Sequence, residues 1–125
     1  ATGEQLCERL KSLLELEGRL AEAKAAGKPV MIDYYSDWCT DCLRMEKATF
    51  AMPPVRAEMT GRFMLIQIDV TDPNDAEGRA MKQRFGVFGP PAILLFDSTG
   101  TERRDLRAYG FRGPDEFLGM LRQVK

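Results

Sequence analysis

Apolar positions along this chain follow two rhythms, and each switch between them marks an element. Leu13, Leu16, Leu20 and Ala23 recur at helical spacing. Ser12 followed by Glu15 is a capping box at the start of that helix, and Gly27 then Pro29 end it. Gly18 inside it costs about 1 kcal/mol relative to alanine, which packing must offset. Ahead of it, Leu6–Lys11 fits a short first strand within an N-terminal extension, 1–11. Val30–Tyr35 is an apolar run of strand length, broken only by Asp33. Cys42–Phe50 holds good helix formers and no breaker; Met52-Pro53-Pro54 is a break, and Val55–Thr60 predicts a short turn of helix. Phe63–Val70 is a strong strand ended by Thr71-Asp72-Pro73-Asn74. Asp75–Phe85 is helical, with Ala76, Ala80, Met81 and Phe85 on one side. The irregular link Gly86–Pro91 leads into a buried strand, Ala92–Asp97. Ser98-Thr99-Gly100 is turn chemistry, so a strand at Arg104–Tyr109 should return antiparallel as a hairpin. Gly113 as cap and Pro114 at the first helical position open the last helix, which carries Phe117, Leu121 and Val124 on one face.

The order is therefore (β)αβαβαββα: crossovers around a parallel core, finished by a hairpin and a helix. This is an α/β chain, a single domain over 1–125, with a mixed sheet covered by helices on both faces. Its 125 residues suffice to bury a core without staples. Apolar content of 44% with 30% charged residues is ordinary for a globular protein. A formal net charge of −1 gives no pull toward nucleic acid or anionic membrane. No apolar run approaches membrane-spanning length, so direct membrane insertion is not expected, and a monomer is. Nothing at the N-terminus resembles a signal peptide, and a start at Ala1-Thr2-Gly3 without Met fits a processed product or an excised domain.

Candidate chemistry sits where the first long strand meets the next helix, at Trp38-Cys39-Thr40-Asp41-Cys42. A thiol at a helix N-terminus meets free N–H groups and the helix dipole, both of which favour the thiolate, the nucleophile of disulfide exchange. A second thiol one turn further in can close a ring and expel a bound partner. With three cysteines and no histidine, Cys–His and Ser–His–Asp catalysis are excluded and a metal site is not expected. Cys7 is left over if the other two pair, and reads as a small apolar filler. Asp33, inside an apolar strand, is costly to bury ionised, so its pKa should rise and it can exchange a proton near neutral pH; the alternative is a solvated residue at a strand edge. Glu46 lies four residues after Cys42 on the same helix face, where it either acts on the thiols or only aids solubility. Trp38 either packs or forms a contact surface beside Cys39.

The C-x-x-C after a strand and the Pro opening the penultimate strand resemble the thioredoxin superfamily over nearly the whole chain. Within it, DWCTDCLRMEKATF, IDVTDPN, FGVFGPPAILLF and YGF are most similar to the C-terminal periplasmic domains of the DsbD family of transmembrane thiol:disulfide interchange proteins. The resemblance implies a thioredoxin fold and a role for each matching residue. Cys39 becomes the exposed attacking thiol and Cys42 the resolving thiol. Pro91 becomes the cis-proline facing the disulfide, Asp33 the buried acid beneath the second cysteine, Glu46 an acidic neighbour, and Trp38 the flanking aromatic. It implies a periplasmic reductant that takes electrons from the DsbD membrane-embedded domain. These pass to the DsbD N-terminal periplasmic domain, and so to disulfide isomerases and cytochrome c maturation. No cofactor is needed, because the dithiol carries both electrons.

Two departures stand out. Thr40-Asp41 replaces the Gly-Pro of thioredoxin between the cysteines, which argues against a general cytosolic thioredoxin. Pro90 precedes Pro91 and has no N–H, so docking of a partner strand should lose one main-chain bond and lean on side-chain shape. Asp33, Asp37, Asp41 and Glu46 surround the motif against Arg44 and Lys47, which opposes thiolate formation and predicts a reductant with a Cys39 pKa above about 5. Three rival readings stay open: another thioredoxin-like reductase with different clients, a binding module with a structural disulfide, and a redox-sensing adaptor using Cys7.

Overall fold

The computed structural model describes residues 6–125; the first five residues of the expected N-terminal extension lie outside that range. A five-stranded sheet forms from β1 (Glu8–Arg9), β2 (Val30–Tyr35), β3 (Met64–Asp69), β4 (Ala92–Phe96) and β5 (Ala108–Tyr109), in the spatial order β1-β3-β2-β4-β5. β2 is thus the central strand, and all six of its residues are buried. β1 and β2 run parallel to β3, whereas β4 is antiparallel to both β2 and β5. The parallel core expected from the crossovers therefore stops after three strands. The link 86–91 causes the reversal: it brings the chain back to the end of the sheet where β2 and β3 finish. Three connections consequently meet at that one end, those following β2 and β3 and the one preceding β4.

Helices cover both faces, as the pattern requires. α1 (Leu13–Ala26) and α4 (Ala76–Phe85) pack on one, where Leu16 and Met81 join Ile32, Tyr34, Ile66 and Leu94 in a closed apolar cluster. On the other face lie α2 (Thr40–Arg44) with the π-helical segment (Met45–Phe50) that continues it, α3 (Pro53–Arg62) and α5 (Pro114–Gln123). Met45, Phe50, Met59 and Phe117 there meet Met31, Ile93 and Leu95. Local chemistry sets the boundaries. The Ser12 side chain accepts from the Glu15 N–H at 3.1 Å, while the Glu15 carboxylate accepts from the Lys11 N–H at 2.7 Å. Gly27 adopts the left-handed conformation (φ 64°) that lets its N–H reach the last carbonyls of α1.

Four expected boundaries move. β1 shrinks from Leu6–Lys11 to two residues: Glu8 and Arg9 pair in register with β3, and the ladder ends as the Leu10 N–H donates to the Gln67 carbonyl at 3.1 Å. The Met52-Pro53-Pro54 break is a helix start: both prolines sit in the first turn of α3, where a missing N–H costs nothing, so the short turn at Val55–Thr60 becomes ten residues. The helix expected over Cys42–Phe50 starts at Thr40 and loosens to π geometry from Met45 onward. The strand expected over Arg104–Tyr109 survives only as Ala108–Tyr109. A 3-10 turn at Arg104–Leu106 replaces its first half, held as Arg103 grips Asp105 and Leu106 drops into the core.

Candidate functional site

Cys39 and Cys42 form a disulfide at the converging end of the sheet, with Cα atoms 5.2 Å apart. Cys39 caps α2: its Sγ accepts from the Cys42 N–H at 3.1 Å, and its carbonyl accepts from Leu43 at 3.3 Å. After reduction the same amide is placed to stabilise a Cys39 thiolate. Cys42 lies deeper, with its Sγ 3.9 Å from the Tyr34 carbonyl. Both cysteines pack with Tyr35, at 6% and 3% exposure, so Cys39 is more buried than the exposed thiol that the resemblance implied. Tyr35 packs on the bridge at the first turn of α2.

The residues flanking the motif are tied to the neighbouring loop and to one another. Trp38 is 63% exposed, and its indole N–H donates to the Thr71 carbonyl at 3.0 Å. It is thus anchored at one edge and open on its face, an arrangement that suits contact rather than core packing. Thr71 Oγ1 also accepts from the Asp37 N–H at 2.9 Å, tying the loop before Cys39 to the loop after β3. The Tyr35 hydroxyl donates to Asp37 Oδ1 at 3.0 Å. The Pro90–Pro91 peptide bond is cis, as expected at Pro91. Tyr34 pairs with Ala92, and continuing that register by one residue sets Pro91 beside Tyr35, which packs on the disulfide. Phe88, two residues before Pro90, is almost wholly exposed and tilts against Tyr109 with ring centroids 6.1 Å apart.

Asp33 is buried at 5% exposure on the central strand, which removes the solvated-edge alternative. Burial pushes its carboxyl up to about 7; a hydrogen bond from Gln67 opposes the rise, Glu46 adds to it, and Arg9 opposes it. Glu46 is solvent-exposed on the π-helical segment, yet its charge bears on Asp33, Tyr35 and Cys7. Cys7 is a buried free thiol in the apolar cluster, its pKa driven up by burial and then by the charges of Asp33 and Glu46. It is a filler, as its sequence context suggested. Part of the acidic crowding is neutralised, since Arg44 pairs with Asp41 at 3.1 Å and lies 3.9 Å over the Phe111 ring. Among the described residues no cluster of three or more cysteines or acids could hold a metal ion.

Sequence reasoning missed Tyr35, Thr71, Gln67 and Arg9. Gln67 carried a usable signal: it is a lone amide in the apolar strand 63–70, and strand pairing sets it directly beside Asp33.

A model of the thioredoxin-like domain family matches residues 16–125. The thiol:disulfide interchange protein DsbD of Ralstonia nicotianae is 41% identical over 117 residues, covering 94% of this chain and 19% of that protein. DsbD of Escherichia coli is 41% identical over 114 residues, with 91% and 20% covered. The chain thus spans about a fifth of the length of these relatives. The oxidised C-terminal domain of Neisseria meningitidis DsbD superposes with a TM-score of 0.78 at 30% identity, covering 94% of this chain and all of that one. A thioredoxin from Thermus thermophilus gives 0.72 at 28% identity, with 95% and 87% covered. The chain has a thioredoxin fold, belongs to the thioredoxin-like family and, within it, to the C-terminal domains of the DsbD thiol:disulfide interchange proteins.

Proposed function

We propose that this chain is a thiol:disulfide oxidoreductase acting as a reductant through Cys39 and Cys42. The observation that carries the reading is the disulfide itself, closed across the first turn of α2 with the Cys42 N–H directed at Cys39 Sγ. In the reduced state the Cys39 thiolate attacks a partner disulfide, one partner sulfur leaves as a thiolate, and a mixed disulfide forms. Cys42 then gives its proton to Asp33, whose raised pKa suits that transfer near neutral pH. The Cys42 thiolate attacks Cys39 Sγ, the mixed disulfide breaks, and the partner departs carrying both electrons. The dithiol supplies the redox chemistry without a cofactor. Trp38, Pro90 and Pro91 form the contact surface for the incoming chain, and Glu46 tunes Asp33 from the helix surface.

Kinship with DsbD supports a more specific assignment. The chain works in the periplasm as a monomeric domain. It takes electrons from the membrane-embedded domain of its own DsbD-type protein and passes them to the N-terminal periplasmic domain, upstream of disulfide isomerases and cytochrome c maturation. Among the described residues no helix is long and apolar enough to cross a membrane, which fits a domain that meets the membrane part only by docking.

Trapping tests this. Cys42→Ser, reduced and mixed with the oxidised N-terminal periplasmic domain of a DsbD protein, should accumulate a mixed disulfide through Cys39 that dithiothreitol releases. An adduct with insulin but none with that domain would favour a reductase with other clients. No adduct with either would refute exchange altogether.

A further inference from the structure

Asp33, Gln67 and Arg9 stand in one lateral row across three adjacent strands. Asp33 on β2 pairs in register with Gln67 on β3, and Gln67 pairs in register with Arg9 on β1. Their side chains are joined along the row. Arg9 Nε donates to Gln67 Oε1 at 2.6 Å, and Gln67 Nε2 donates to Asp33 Oδ2 at 3.1 Å. Gln67 is 4% exposed, so its amide turns toward these partners inside the core. Arg9 sits at the sheet edge, where it pairs with Asp69 at 3.3 Å and lies 5.1 Å from the Tyr35 ring centre.

The chemistry of the donors fixes which way the amide points. A guanidinium has donors only, so the Gln67 atom facing Arg9 must be the carbonyl oxygen. The amide NH2 must then face Asp33. The carbonyl oxygen of a protonated carboxyl is a better acceptor for an NH2 group than its hydroxyl oxygen, so the Gln67 donor favours Oδ2 as the unprotonated oxygen and steers any proton that Asp33 takes up to Oδ1. The row therefore does more than satisfy a buried acid. It selects one of two carboxyl oxygens as the proton acceptor and favours the ionised form ready to accept.

We infer that Gln67, its amide locked by Arg9, is a positioning residue that directs proton uptake by Asp33 to Oδ1 and so sets the pH range of the resolving step. This rests on the proposed exchange function, in which Asp33 takes the Cys42 proton. Among the described residues, the groups bearing on Asp33 are Gln67 from β3, Arg9 from β1, Cys7 just before it and Glu46 from the π-helical segment, with the apolar Ile93 opposite it on β4. Losing Gln67 removes the donor to Oδ2, frees the proton to sit on either oxygen, and makes the carboxylate harder to form.

Two readouts in this 125-residue chain separate the inference from the function on which it rests. The first is the carbon-13 titration of the Asp33 carboxyl in the oxidised protein; the second is the pH profile of the resolution rate of a preformed Cys39 mixed disulfide. Gln67→Leu should move both midpoints up by about one pH unit, the size of a lost hydrogen bond to a charged group. Arg9→Lys, a surface change that keeps the charge bearing on Asp33 but loses the guanidinium Nε that holds the Gln67 amide, should move both in the same direction by less, and it decides the matter if Gln67→Leu fails to fold. Unchanged Asp33 titration in the folded variants would overturn the inference. If the wild type resolves no mixed disulfide at any pH, the exchange function falls, while the Asp33 titration still tests the locked amide.

Discussion

The two faces of the sheet are built from the same strands and do different work. Under α1 and α4, residues Ile32, Tyr34, Ile66, Ile68 and Leu94 close into a core whose buried polar atom among them, the Tyr34 hydroxyl, donates to the Met81 carbonyl at 2.8 Å. Under the active-site helix, α3 and α5, the alternate residues of β2 and β3 include Asp33, Tyr35 and Gln67 among the apolar ones. One residue's shift along β2 separates Ile32 from Asp33, and with it a group that stabilises from a group that opposes folding at neutral pH. The difference teaches that stability and chemistry are divided by strand parity. The apolar face holds the sheet together, so the other can keep a buried acid and a polar row on the face that carries the active-site helix.

The largest break in the comparison should come from the apolar face. Leu94→Ala removes a fully buried side chain at the sheet centre and should cost roughly 3–5 kcal/mol in urea unfolding, with the disulfide potential of the folded protein unmoved. A loss below about 1 kcal/mol would mean that this face does not carry the fold.

On the other face the sign reverses. Burial sets the folded pKa of Asp33 near 7 against an ordinary value of 3.8, so the unfolded chain ionises first. Its full stability is present below about pH 4, declines as pH rises to about 7, and falls no further from this group above that. Asp33→Asn removes the penalty. It should be more stable than wild type at pH 8 by about 3–4 kcal/mol, with the gap closing below about pH 4, while resolution of the mixed disulfide slows. Equal stabilities at pH 8 would show that the carboxylate is not buried as described. A smaller effect sharpens the contrast: Tyr34→Phe loses one buried hydrogen bond and should cost about 1 kcal/mol at every pH from 4 to 9, because that hydroxyl does not titrate in the range.

Much of this was legible in the sequence, for physical reasons that also explain the misses. Val30–Tyr35 and the capped α1 announce themselves because period and caps are local properties, and Cys39, Cys42 and Asp33 stand out as chemistry inside or beside an apolar strand. The antiparallel β4 was not legible, since the direction in which the link 86–91 returns is decided by packing on both faces rather than by its own residues. Pro53 and Pro54 misled because proline both breaks and starts helices, and only the neighbouring core shows which. Gln67 was visible as a lone amide in an apolar strand, but its tie to Asp33 and Arg9 was not. That tie comes from register across 34 and 58 residues of chain, which no local pattern encodes.

The central claim is that Cys39 and Cys42 form a reducing pair, and its most direct test is their equilibrium reduction potential in a glutathione or dithiothreitol buffer. The acidic surroundings of the motif and the kinship with DsbD predict about −200 mV or lower, on the scale where thioredoxin lies near −270 mV. A potential near the −120 mV of a strong oxidant such as DsbA would contradict the account and make the domain a maker of disulfides.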